Sequence, residues 1–394
     1  MSGLANARVL PTDLEALIPA GYKPADADER GIWQSIEQIE ESIQTSPQLL
    51  QAPAMHAYIR SIIERLVGRP TPDLRLYLMR NSSFNASMFP SGMMIVHSGL
   101  MARVRNEAQL AAVLGHEAGH YFRKHSIDQY RSIRGKAAAM AWLSTATSVG
   151  GGAYAAAGYG GAGNWIYAAS AINAAVTMSV FQFSRTHEAE ADAYGISLMS
   201  RCGYSPYAAS QVWNQLIEER KASAAYRDKR YKDRSKSVLS THPPTEDRMQ
   251  DLADTAEFLS ARNEQAVFDG RAEWLAAVEP HRAMLLDEQV RVNDPGASLY
   301  LIESLAQDGW TGLLRYNEGE IYRLRGEAGD QEKAAAAYAA AAAMPDAPPE
   351  AWRSHGYALL KAGKAEDGRV ALNRYLEMNP SAKDAGLVRF TLAQ

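Results

Sequence analysis

The chain has 394 residues, enough for two or three domains and at least one large core. Its 41 basic and 45 acidic side chains leave a net charge of −4, too balanced for a polyanion binder, so nucleic acid is excluded as the main partner. The single cysteine, Cys202, excludes an intramolecular disulfide and a thiolate metal cage; any metal must be held by nitrogen and oxygen.

The N-terminus, MSGLANARVLPTDLEAL, lacks a basic segment followed by an apolar run, so the chain as given shows no signal peptide. It is expected to be cytoplasmic, or a form from which an export signal has been removed. Residues 1–27 are rich in proline and alanine without a period and read as a loose arm. From Arg30 to Leu66 apolar residues recur at helical spacing (Ile32, Ile36, Ile39, Ile43, then Ile59, Ile62, Ile63, Leu66), which predicts helices broken near Ser46 and Pro47. The runs LRLYLM (74–79) and MMIVH (93–97) read as strands of a small sheet, separated by the polar NSSFNASMFPSG. From Glu107 to Arg123 the helical pattern returns, with Leu110, Ala111, Val113 and Leu114 on its inner side.

Near the end of that helix stands LGHEAGHYFRKH, which holds three of the chain's nine histidines. Residues four apart share a helical face, so His116 and His120 can offer imidazole nitrogens to one ion. Glu117 projects about 100° round from His116, where its carboxylate can reach a water at the ion and act as general base without being a ligand. His125, nine positions past His116, is expected on the opposite side of the helix, either at the surface or behind a ligand. Catalytic zinc takes three protein ligands and keeps one open position. A metzincin would place its third histidine where Ser126 stands and its glycine where Arg123 stands, so that class is excluded. The other common solution is a glutamate from a second helix, and the candidate is SRTHEAEADAYGISLM (184–199). There Glu188 and Asp192 share a face: Glu188 can ligate while Asp192 orients a ligand histidine through its free ring nitrogen. Glu190 lies on the far side. The bland reading of such a cluster is a solvated acidic face.

Between these two helices, from Ala137 to Ser184, no residue is charged, and the middle reads TSVGGGAYAAAGYGGAGNW. Its alanine, glycine and tyrosine favour a buried or partly ordered soluble hairpin over insertion, with peripheral membrane contact through 137–184 as the alternative. After a basic, polar segment, THPPTEDR fixes His242 on a proline corner and can start a helix at Thr245. Beyond residue 262 a repeat emerges. Trp352, Gly356, Leu359, Gly363, Gly368, Leu372 and Pro380 fit a thirty-four-residue tetratricopeptide unit. Gly319, Tyr322, Ala334, Tyr338 and Pro345 form an earlier, slightly longer one. Such helix pairs cannot bury their apolar faces alone, so they are expected to stack on the helical stretch 271–305 and either hold a protein partner in a groove or pack on the catalytic domain.

HEAGH, SRTHEAEAD and LSTHPPTEDRM resemble, in order, the three signatures of the forty-eighth metallopeptidase family, the HtpX/BepA-like zinc peptidases, and NASMFPSGMMIVHSGL (85–100) is similar to the family's edge strand before the metal helix. The resemblance covers roughly residues 30–260. It implies that Glu188 is the third zinc ligand and Asp192 its companion aspartate. It also implies that His242 approaches the zinc as a removable fourth ligand or contacts the reacting carbonyl, and that Arg248 stabilises developing negative charge. A bacterial cell envelope or periplasmic setting goes with it. Together these readings predict an α+β, mainly helical chain: arm 1–27, gluzincin-type catalytic domain 28–261 with a small sheet, and all-α linker and tetratricopeptide-like repeats over 262–394. The expected activity is zinc-dependent endopeptidase, one Zn2+ per chain, acting on proteins or peptides in quality control. Substrate is expected to lie extended along Asn85, Ala86, Met93 and Ile95. The rival is a metal-binding scaffold or chaperone adaptor working through its repeats; the intact Glu117 favours the enzyme, since a scaffold has no need of a base.

Overall fold

A computed structural model of the chain describes residues 10, 14, 18–134, 183–229, 231, 242, 245–262 and 267–394. The chain divides into two compact units, Met1–Ile217 with Lys232–Pro280 and Glu218–Tyr231 with His281–Gln394.

In the first unit, helix α1 (Ala27–Gln44) starts where the Asp26 carboxylate accepts the Asp28 and Glu29 N–H groups, and it buries Ile32, Ile36 and Ile43. Helix α2 (Pro53–Val67) has proline in its first turn and ends at Gly68, whose φ of 75° only glycine adopts without strain. The described part of the arm is packed rather than loose: Ile18 is buried, Arg69 donates to its carbonyl at 2.9 Å, and the Gly21 N–H donates to Asp73.

Three strands form a mixed sheet in the order β1-β3-β2. Strand β1 (Arg75–Met79) runs parallel to β3 (Met93–His97), and β2 (Ala86–Met88) runs antiparallel to β3, with Ser87 opposite Ile95. The strand β2 lies inside the segment that composition reads as a polar connection, because three residues are too few to display an alternating pattern. The arrangement also corrects the expected substrate strand. Asn85 and Ala86 belong to the edge, but Met93 and Ile95 lie on the central strand, both of whose edges are already paired, so their main-chain groups have none to offer an incoming peptide.

After α3 (Ser98–Arg103), helix α4 (Glu107–Phe122) is capped by Asn106, whose side chain accepts the Gln109 N–H. The helix stops before the third histidine. Lys124 takes φ 56° and the chain restarts as α5 (His125–Arg134), so His125 leaves the α4 axis and turns back toward His120 instead of facing away. Nothing in the sequence marks this break, since a lysine occupies a position where glycine or asparagine would be usual. Lys124 is held by Tyr22 Oη at 2.6 Å and Glu29 at 3.2 Å.

Helix α6 (Arg185–Arg201), capped by Ser184, packs against α4 where both helices carry small residues. A Cβ on Gly195 would lie 2.7 Å from the His116 nitrogen, and one on Gly119 would lie 3.0 Å from the Ala191 Cα. Alanine at 195 gains roughly 1 kcal/mol in helix propensity, yet no rotamer relieves an overlap with backbone. Gly195→Ala is therefore expected to lose at least about 2 kcal/mol of stability in urea unfolding, with lowered zinc occupancy. Helix α7 (Tyr207–Tyr226) begins in this unit, and α8 (Glu246–Ser260) and α9 (Arg271–Val278) complete it. Trp274 on α9 is fully buried and its indole N–H donates to the Val104 carbonyl at 2.8 Å, which pins the entry to α4. The hairpin expected over 137–184 lies outside the described residues, apart from Phe183 and Ser184. Among the described residues no helix is long and apolar enough to cross a membrane.

The second unit is all helical: α10 (Arg282–Arg291), α11 (Pro295–Leu305), α12 (Gly312–Arg325), α13 (Asp330–Ala342), α14 (Pro349–Lys361), α15 (Ala365–Met378) and α16 (Ala385–Leu392). Helices α12 and α13 pack as one pair, α14 and α15 as another. Gly319 faces the Tyr338 ring and Gly356 faces Leu372 so closely that a Cβ at either would fall within 3 Å of the partner. These glycines, picked out by their spacing, are where the paired helices meet.

Candidate metal centre

Four side chains from three places converge in the first unit. His116 and His120 come from α4, Glu188 from α6, and His242 from the corner just ahead of α8; all four are buried, and one ligand atom from each lies within 4.8 Å of the others. His120 Nε2 stands 3.1 Å from His116 Nε2, which stands 3.2 Å from His242 Nδ1; Glu188 Oε1 is 2.8 Å from that Nδ1 and 3.5 Å from His120 Nε2. Imidazole lone pairs facing each other so closely repel unless a cation lies between them. Zinc bonds of about 2.0–2.1 Å imply tetrahedral edges of roughly 3.4 Å, which these spacings approach. The donor set and its dimensions thus fit zinc.

The groups behind the donors fix their directions. Asp192 Oδ1 lies 2.9 Å from His116 Nδ1. Arg248 grips Asp192 with two parallel hydrogen bonds, Nε to Oδ2 at 2.9 Å and Nη2 to Oδ1 at 2.8 Å, while its Nη1 reaches Glu188 Oε2 at 2.7 Å. Its guanidinium also lies over the Trp213 ring, 4.8 Å from the centroid. Burial would raise both carboxylates, but Arg248 outweighs it: Asp192 and Glu188 are held below the usual carboxylate range, with His116 adding to the first and His242 to the second. Burial also works to lower His120, as do the neighbouring His116 and His242 imidazoles, so His120 presents a neutral ring.

Glu117 sits apart from the donors. Its Oε2 accepts the Met88 N–H at 3.2 Å, and its Oε1 lies 3.4 Å from His242 Nε2. Burial pushes its carboxyl up from the usual range, the direction a base working near neutral pH requires. For His242, burial works downward but is outweighed by Glu117 and Glu188, so the imidazole is raised. The Met88 contact also places the sheet. His97 donates to Asn85, and Phe89 donates to Met93, so by antiparallel alternation Ala86 and Met88 turn their main-chain groups away from β3, and the Met88 N–H meets Glu117.

On the other side, His120 Nδ1 faces His125 Nδ1 at 3.0 Å, and His125 Nε2 lies 3.4 Å from Glu190 Oε2. The Phe183 ring stacks on His120 at 3.9 Å between centroids and on His242 at 5.4 Å. Sequence reasoning missed Met88, Phe183 and Trp213, which lie outside the charged motifs and carry no chemical signal of their own. The structure brings together His116, Glu117, His120, Glu188, Asp192, His242 and Arg248; it leaves Met93 and Ile95 on the far side of β2.

A histidine pair four apart on one helix, with a glutamate between them and a carboxylate from a second helix, defines the zinc-peptidase class. The chain belongs to peptidase family M48, whose pattern its residues 49–256 match, a family of zinc metalloendopeptidases. It is similar to the beta-barrel assembly-enhancing protease of Escherichia coli (strain K12), 30% identical over 219 residues that cover 54% of this chain and 41% of that protein. The protein of that name from Yersinia pestis is 27% identical over the same length and coverage. The mitochondrial metalloendopeptidase OMA1 of Schizosaccharomyces pombe is 25% identical over 170 residues, 40% of this chain and 43% of that one. The matches thus span less than half the length of these curated relatives.

Proposed function

We propose that this chain is a zinc-dependent endopeptidase that cleaves protein substrates in quality control, residues 28–261 forming its catalytic domain. The observation that carries the reading is the buried convergence of His116, His120 and Glu188 with Glu117 beside it. A bound zinc would act as a Lewis acid, polarising a peptide carbonyl and making a water acidic enough to lose a proton near neutral pH. Glu117 would take that proton, its carboxylate steadied by the Met88 N–H. An extended substrate would add to the outward edge of β2, pairing with the main-chain groups of Ala86 and the Met88 carbonyl, which would set the scissile carbonyl next to the base with little demand on side-chain identity.

Arg248, with all three guanidinium nitrogens directed at Asp192 and Glu188, would serve by holding those carboxylates, rather than by meeting the developing oxyanion. His242 would be a latch: its Nδ1 stands at the fourth corner that catalysis needs open, and its Nε2 engages the base. We read the helix pairs of 262–394 as tetratricopeptide-like units that dock a protein partner. The names of the bacterial relatives, assembly-enhancing proteases, favour a quality-control role.

The deciding experiment is zinc quantification on the purified chain, coupled to a casein or peptide-library digest. Glu188→Ala is expected to lose bound zinc, whereas Glu190→Ala, which removes a carboxylate outside the donor cluster, should still load at saturating zinc. Equal zinc content in the two variants would refute the ligand assignment.

A further inference from the structure

We infer that His125 is a positioning residue for the metal centre, the hydrogen-bond acceptor that fixes the ring of His120. The inference rests on the reading of His116, His120 and Glu188 as zinc ligands. His120 turns Nε2 toward the other donors, so its proton resides on Nδ1, and the only described atom that approaches this nitrogen within hydrogen-bond range is His125 Nδ1, at 3.0 Å. One of two facing ring nitrogens must donate and the other accept. His125 therefore accepts at Nδ1 and carries its own proton on Nε2, which points to Glu190 Oε2 at 3.4 Å. Glu190 is in turn paired with Arg123 at 3.2 Å. The two histidine ligands are thus oriented differently: His116 by the Asp192 carboxylate, His120 by an imidazole that relays to a partly exposed carboxylate.

The surroundings are built to hold this ring. His125 is 2% exposed, and its face stacks on His187 with centroids 4.4 Å apart and planes 12° from parallel. It reaches that place because Lys124 adopts φ 56°, and Lys124 is tied to Tyr22 and to the buried Glu29 at the start of α1. A lysine in a left-handed conformation is disfavoured unless its surroundings impose it, and here the consequence of the turn is to deliver the imidazole behind a ligand.

The test compares His125→Asn, whose side-chain oxygen can stand near the Nδ1 position, with His125→Gln, whose oxygen reaches the Nε2 position instead, and His125→Phe, which keeps the stacked ring without an acceptor. The readouts are the apparent zinc affinity by chelator competition and the rise in melting temperature on adding zinc to the metal-free protein; the metal-free melting temperature itself reports the fold. Removing an outer partner of a metal ligand weakens binding by roughly 10–100-fold. We expect that loss for Phe and Gln, with recovery to within about threefold of wild type for Asn. A merely structural role would treat Asn and Gln alike. Equal affinities for Asn and Gln would overturn the inference, and so would wild-type affinity in His125→Phe; should the Phe variant not fold, the Asn and Gln pair decides alone. A wild-type chain that takes up no zinc would overturn the metal centre and this inference together, whereas tight binding by wild type and all three variants would overturn this inference only.

Discussion

Replacing Glu117 by glutamine should remove peptide hydrolysis, by on the order of 10³-fold or more, while the protein still binds one zinc. The amide matches the carboxylate in shape, can still accept the Met88 N–H through its oxygen, and leaves His116, His120 and Glu188 untouched. What it cannot do is accept a proton from water. Casein digestion and zinc content measured on the same preparation separate the two effects. Near wild-type turnover in Glu117→Gln would sink the proposed mechanism, and loss of zinc would mean that Glu117 belongs to the donor set, not beside it.

Replacing His242 by phenylalanine should raise basal cleavage roughly tenfold, the change expected if only about one molecule in ten has its fourth position open at rest. As a latch, His242 would do two inhibitory things with one ring, since Nδ1 stands among the donors and Nε2 faces the base. Removing it would then clear the place water needs and release Glu117, while His116, His120 and Glu188 would remain to hold the metal. The phenyl ring keeps the packing against Phe183. Turnover that falls with zinc content unchanged would assign His242 to the transition state instead. No change in either quantity would remove it from the site.

The parts of this centre legible in the sequence are those whose relation is fixed inside one helix. His116, Glu117 and His120 differ only by rotation about the α4 axis, and Glu188 and Asp192 only by one turn of α6, so spacing alone predicts which of them can face a common point. That the two helices meet was less open to reading, because the signal is the absence of side chains at Gly115, Gly119 and Gly195. The failures have the same logic in reverse. Helical periodicity continued past Phe122 puts His125 on the wrong side, because the chain turns at Lys124, a turn imposed by Glu29 and Tyr22, about one hundred residues away in sequence. The four apolar residues Met93 to Val96 say strand but not which strand lies outermost, so the sequence alone does not part Met93 and Ile95 from the edge. Arg248 chose two carboxylates from another helix, and no local pattern announces such a choice. In the second unit two of the four glycines that fit the expected repeat spacing, Gly319 and Gly356, are the ones against which Tyr338 and Leu372 pack.

Main chain lies directly against main chain where α4 and α6 cross, and that contact sets how far the third donor stands from the first two. A Cβ on Gly115 would already be 3.2 Å from the Gly195 Cα, so the gap has no side chain in it to shrink, swell or repack. The bite of the ligand set is thereby decoupled from the rest of the core: substitutions elsewhere can thin the population of folded molecules, yet each molecule that folds inherits the same spacing between its histidines and its glutamate. Among substitutions of core residues that touch neither the donors nor Glu117, damage should divide into two kinds, one that lowers the yield of zinc-loaded protein at constant turnover per zinc, and a rarer one, confined to the glycine contact, that alters turnover per zinc itself.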